Sequence, residues 1–168
     1  AGGFAGGASV ELMWPIKSSP DSLIFPVGAR FGVLGSTMSG HTFYPLDGFT
    51  YTVKTPLILY GEAELANPVL TSVVGLINLS TPINVYSTVG VAGVFQNYSA
   101  GWSKTGFTAN ANSQEAGATF SVRMEWPIDK SVAMYLQYRS IYAPAVINIP
   151  GSVAATSYSN IVTVGVAF

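Results

Sequence analysis

Between Ala116 and Trp126 the chain reads AGATFSVRMEW, and its side chains sort by parity. Ala118, Phe120, Val122, Met124 and Trp126 alternate with Thr119, Ser121, Arg123 and Glu125. Successive side chains of a β-strand leave opposite faces, so one face is apolar and the other carries the charge. The same sorting recurs along the chain. Val10, Leu12 and Trp14 oppose Glu11; Phe25, Val27, Ala29, Phe31 and Val33 oppose Arg30. Leu57, Leu59, Ala63 and Leu65 oppose Glu62 and Glu64, with Lys54 in the same register, and Val132, Met134, Leu136 and Tyr138 oppose Arg139. Glu11, Arg30, Lys54, Glu62, Glu64, Arg123, Glu125 and Arg139 therefore all fall opposite an aliphatic face.

A sheet of a water-soluble protein would carry more charge than this. Charged residues make up 9% of the chain, against about 25% in an average soluble domain. Hydrophobic residues make up 49%, and the mean hydropathy is +0.40. Yet no uninterrupted apolar run approaches the ~20 residues of a membrane-spanning helix. VLTSVVGLINL (Val69–Leu79) is broken by Ser, Gly and Asn. A chain of this kind crosses a bilayer only as a closed β-barrel, because closure alone pairs every backbone group in hydrocarbon. The expectation is an all-β, closed, antiparallel up-and-down transmembrane β-barrel of about eight strands, in one domain spanning residues 1–168. Its charged face lines the lumen, since a charge facing lipid costs about 2–4 kcal/mol at the midplane. In so narrow a lumen the four acids and four bases must pair.

Runs rich in Val, Thr, Phe and Tyr, punctuated by Gly and Pro, predict strands over 4–14, 23–35, 49–65, 69–79, 84–98, 116–126, 131–142 and 157–168. Tight turns are expected at Asn67–Pro68, Ser80–Pro82 and Pro127–Lys130, and long connections at 36–48, 99–115 and 143–156. Short turns on one side and long loops on the other characterise outer-membrane barrels. Segment 36–48 fits badly, for eight strands put it on the short-turn side. An extra crossing near 41–53 repairs this only by giving nine. VELMWPIKSS (Val10–Ser19) also echoes VRMEWPIDKS (Val122–Ser131), matching Trp14 to Trp126 and Pro15 to Pro127. Trp at the end of a strand sits well at a membrane–water interface, and Pro suits the first corner of a turn.

The chain closes on VTVGVAF, with Val162, Val164, Val166 and Phe168 on one face. Together with the pattern above, this ending resembles the small bacterial outer-membrane β-barrels of the OmpA, OmpX and OmpW kind. The resemblance spans the whole chain and rests on strand pattern and the terminal Phe. It implies residence in a bacterial outer membrane, contact with its lipids, and recognition of the last strand by the barrel-assembly machinery. Trp14, Trp126, Tyr138, Tyr142, Tyr158 and Phe168 are then interface aromatics. Ala1 in place of Met is expected for a chain whose signal peptide has been removed.

Little in the sequence points to chemistry. There is no cysteine, hence no disulfide or thiolate metal site. A net charge of −1 without a basic run argues against nucleic acid. The one histidine, His41, shares MSGHTFYPLDG with Ser39 and Asp47, but proximity in sequence does not orient a nucleophile and its base. Glu62 and Glu64 are better read as lumen salt bridges than as paired acids for glycoside hydrolysis. No ligand cluster for a metal is evident, and AGGFAGG lacks the Lys and helix of a phosphate loop. The expected role is structural or interaction-related, with no catalysis, no metal and no cofactor. The alternatives are a passive conduit for small or hydrophobic solutes, a lipid-modifying enzyme using His41, and a soluble β-sandwich subunit of a surface assembly.

Overall fold

A computed structural model describes residues 3–14, 25–44, 48–75, 83–146 and 154–168. The described residues form seven strands and one short helix, in the order β1 (Ala5–Met13), β2 (Phe25–Tyr44), β3 (Phe49–Ala66), α1 (Pro68–Gly75), β4 (Asn84–Trp102), β5 (Phe107–Pro127), β6 (Ala133–Val146) and β7 (Ala154–Ala167). Each strand pairs antiparallel with the next, giving a single up-and-down sheet in the order β1 to β7. The sheet curls into a half-barrel. Its two edges, β1 and β7, come within 8 Å of each other at their nearest residues but share no ladder.

The expected strand over 69–79 is a correction: Pro68–Gly75 is helical. Val69, Val73 and Val74 favour a strand, but Asn67 and Pro68 together form a helix start. The Asn67 side-chain oxygen accepts the Leu70 N–H at 3.0 Å, and Thr71 N–H donates to the Asn67 carbonyl at 3.0 Å. The cap is anchored to β4, where Asn67 N–H donates to the Val85 carbonyl and Val85 N–H to Thr71 Oγ1, both at 3.0 Å. The turn expected at Ser80–Pro82 lies outside the described residues.

Replacing that strand with a helix removes the misfit at 36–48. Most of both expected loops is strand: β2 to β5 run to 20, 18, 19 and 21 residues and take in 36–44, 99–102 and 107–115. His41 thus lies in β2, opposite Thr52, rather than in a loop. The paired strand ends Tyr44 and Phe49, Trp102 and Phe107, and Val146 and Ala154 all sit at one end of the sheet, here called upper. The β4–β5 turn closes with Gly106 at φ 66°, its N–H donating to the Trp102 carbonyl at 2.9 Å. The α1 connection, the Pro127–Ala133 turn and Phe168 share the lower end with Trp14 and Trp126. Trp14 and Trp126 therefore end strands on the same side, while Pro15 lies outside the described residues. The ladder between β5 and β6 runs only from Ala118 to Pro127, so residues 107–117 of β5 rise beyond it with the upper parts of β2, β3 and β4.

Candidate functional site

The lower interior gathers most of the expected charges. Alternation aims Glu11 from β1, Arg30 from β2, Glu62 and Glu64 from β3, and Arg123 and Glu125 from β5 into the curl, with Arg139 from β6. The curl then joins strands that are distant in sequence. Arg123 is 2% exposed and reaches Glu11 at 3.0 Å, Glu125 at 3.3 Å, and Glu64. Arg30 contacts Glu11 at 2.5 Å and Glu64 at 3.6 Å. One layer higher, Arg139 holds both oxygens of Glu62 at 2.9 Å, a bidentate pair. Thr119 Oγ1 donates to the same carboxylate at 2.7 Å, and the Arg139 guanidinium lies 3.7 Å over the Tyr60 ring.

Neutral groups knit the layers together, and sequence reasoning gave them no part in the site. Gln137 accepts from Arg30 at 3.4 Å and donates to Ser121 at 2.6 Å, while Ser121 and Thr88 share a 2.6 Å hydrogen bond. Their signal was the same parity as the charges. Small residues make the room: a Cβ at Gly32 would strike the Tyr60 ring, and one at Gly165 the Tyr135 ring. Some polar capacity stays unused. Arg30 Nε, Arg123 Nε and one oxygen of the wholly buried Glu64 have no partner.

Lys54 does not join them. Its distance from Glu62 is even, so unbroken alternation puts both on one face, but the ladders of β3 slip between Lys54 and Leu57. Such a bulge reverses parity. Thr55 turns inward, where its hydroxyl accepts from Gln96 at 3.4 Å, and Lys54 is exposed on the outside. Among the described residues, the charges of the lower interior are therefore four carboxylates and three guanidiniums.

Above the charged layers the interior becomes apolar. Leu34, Ile58, Val94, Ile141 and Ile161 pack into one buried cluster across the curl. Tyr51, Val53 and Ala111 pack on Tyr98, whose hydroxyl bonds Gln96. Higher still, Phe49, Trp102 and Phe107 stack with centroid distances of 4.7 and 5.4 Å. A cavity of about 520 Å³ opens beside the charges at the gap between β1 and β7, lined from those edges by Ser9, Glu11, Thr163 and Ala167.

The outer face of the lower half is apolar. Val10, Phe31, Val91, Phe120, Val162 and Val164 are all exposed, the last two at 68%. The aromatics fall mainly near its two rims. Trp14, Trp126 and Phe168 lie low, whereas Tyr142 meets Tyr158 edge to face at 5.2 Å where the β5–β6 ladder ends. Tyr138 sits between the rims, with its hydroxyl donating to Asn160 at 2.9 Å. From Met134, opposite Trp126, to Tyr142 the strand climbs about 27 Å at 3.4 Å per residue. A ~40° tilt reduces that to about 21 Å, near the ~25 Å apolar band of known barrels.

Among the described residues no group of three or more His, Cys, Asp or Glu is placed to hold a metal ion. Nor is any helix long and apolar enough to cross a membrane, which says nothing about a β-barrel. Comparison with protein-family models, curated proteins and solved structures gives no match.

Proposed function

We propose that this chain is an integral β-barrel protein of a bacterial outer membrane, with a structural or interaction role and no catalysis. One observation carries the reading: the lower half is inside out. Arg30, Glu62, Glu64, Arg123 and Arg139 are 0–2% exposed, while a continuous band of Val, Leu and Phe faces outward. In water this arrangement pays desolvation twice, once for the buried charges and once for the exposed hydrocarbon. In a bilayer both terms reverse in favour of the fold, because lipid covers the band and the charges are paired away from it. Closure belongs to this reading, since an open edge in hydrocarbon leaves backbone groups unpaired. The apolar cluster around Ile58 and Ile141, stacked on the ion pairs, supports a blocked lumen rather than a conduit.

The test is refolding from urea into phosphatidylcholine vesicles. The protein is expected to float with the vesicles after a carbonate wash, to migrate faster on gels before heating than after, and to pass negligible current in planar bilayers. A detergent-free soluble monomer would overturn the membrane reading. A large steady current would replace the blocked barrel with a conduit.

A further inference from the structure

The outward face of β4 changes character near its lower end. Thr88 points inward, wholly buried and hydrogen-bonded to Ser121, so the odd-numbered residues of the strand point outward. Val89 and Val91 are accordingly 53% and 69% exposed. The next two outward positions, Val85 and Ser87, are buried at 3% and 9%. Among the described elements, α1 is the one that meets them. Asn67 Nδ2 donates to Ser87 Oγ at 3.5 Å, and Val85 N–H donates to Thr71 Oγ1 at 3.0 Å. The helix therefore packs on the outer wall of the lower rim, not beneath the ion pairs. Val85 pairs with Met124, two residues from Trp126, which sets α1 at the level of the lower aromatics.

The polar groups of this helix are engaged within the protein. Its first N–H groups are met by Asn67, Thr71 Oγ1 accepts from β4, and Ser72 Oγ donates back to the Pro68 carbonyl at 2.8 Å. Pro68–Gly75 carries no charge. What faces outward is hydrocarbon. Leu70 is 38% exposed and Val73 53%, and residues three apart lie on one side of a helix.

We propose that α1 is a membrane-interface helix whose Leu70–Val73 side enters the headgroup–acyl boundary of the lower leaflet, with phospholipid as its partner; this rests on the membrane reading above. Two observations favour lipid over a protein. The exposed side adjoins the outward band of Val89 and Val91, so one apolar medium covers both. The area is also too small for a protein partner. Eight residues rise ~12 Å and a helix is ~10 Å across, a footprint on the order of 100 Å². A stable protein interface takes ~800 Å² from each partner. Lipid sets no such minimum, and interfacial helices sink an apolar side only ~5–10 Å into the boundary.

The chain has no cysteine, so Val73→Cys gives a unique attachment point for a nitrobenzoxadiazole fluorophore. Val162→Cys, on the outer band, and Asp129→Cys, in the exposed lower turn, serve as references. Each labelled protein is refolded into phosphatidylcholine vesicles. It is then quenched by lipid carrying a nitroxide at the headgroup, by lipid carrying it at mid-chain, or by iodide on both sides of the membrane. At position 73 the headgroup nitroxide is expected to quench at least threefold more than iodide does, and more than the mid-chain nitroxide. At position 162 mid-chain quenching should dominate, and at position 129 iodide alone should act. Iodide quenching at position 73 equal to that at 129 would overturn the proposal. So would a label at 73 shielded from iodide and lipid alike, because a protein then covers the helix; that protein is a second copy if the shielding fades as lipid is added. The reference at 162 separates the two ideas. Lipid quenching at 162 with iodide access at 73 defeats the helix alone, whereas iodide access at both defeats the membrane reading itself.

Discussion

The lower and upper halves of this molecule use the same four strands, β2 to β5, with opposite polarity. Below the slips at Gly35–Met38 and Lys54–Leu57, the charges lie inside beneath the Leu34–Ile58 cluster, while Val10, Phe31, Leu59 and Val91 face outward. Above them, Tyr51, Tyr98, Phe49 and Trp102 face inward, while Lys54, Asn97, Ser99, Asn110 and Asn112 face outward. The upper half is built as sheets in water are built. The lower half is not. The change occurs within single strands, so no difference in architecture accounts for it; on the membrane reading proposed above, the cause is the surroundings that each half meets. The slips mark the boundary, and they do so by exchanging which parity of β3 faces in.

The largest effect expected from breaking this contrast is loss of the central base. Arg123→Ala leaves Glu11, Glu64 and Glu125 without their shared guanidinium in a buried site, and should cost about 3–5 kcal/mol. Urea titration of the vesicle-refolded protein measures it. A loss below 1 kcal/mol would mean that water reaches the charges and the lower interior is not closed to it.

A smaller effect maps the boundary itself. Val164→Arg places a charge on the outer face of the lower half and should cost about 2–4 kcal/mol if that face meets lipid. Asn112→Arg makes a comparable change on the outer face of the upper half and should stay within about 0.5 kcal/mol. Equal costs would erase the distinction between the halves.

The smallest effect is a pH dependence confined to the upper half. Burial, with Tyr98 next to it, pushes the Tyr51 phenol above the ordinary tyrosine range; burial, with Glu115 nearby, raises Tyr98 as well. A raised folded-state value means that the stability from these neutral phenols is complete below the ordinary tyrosine pKa and lost as pH rises through the folded values. Alkaline titration, followed by tyrosinate absorbance and by proteolysis of the upper hairpins, should show those hairpins loosening while the lower half stays protected. Tyr51→Phe should remove part of that loosening. An alkaline transition that opens both halves together would contradict their independence.

How far the sequence could be read varies residue by residue. Alternation assigned Glu11, Arg30, Glu62, Glu64, Arg123, Glu125 and Arg139 to one face, because side-chain period is a local property that two neighbours suffice to define. It also found all seven strands, though it cut β4 and β5 short at the polar stretch 99–115. Polarity there predicts a loop, whereas the stretch is strand whose outer face has become polar. Asn67–Pro68 held a legible signal that was read as a turn: a capping residue before Pro at the first helical position.

By itself, then, the sequence determined the strand class, the face of each charge within an unbroken stretch, and the apolar band that the ending Val162–Phe168 completes. Only the tertiary structure decided which charges meet, why Lys54 is left outside, that residues 68–75 are helical, and that the seven described strands leave β1 and β7 running in the same direction at the two edges. The reason is one of range. A period of two is written by adjacent residues, but a ladder slip, an ion pair such as Arg123 with Glu11 and the running direction of an edge are fixed by strands up to a hundred residues and more apart, through the curl of the whole sheet.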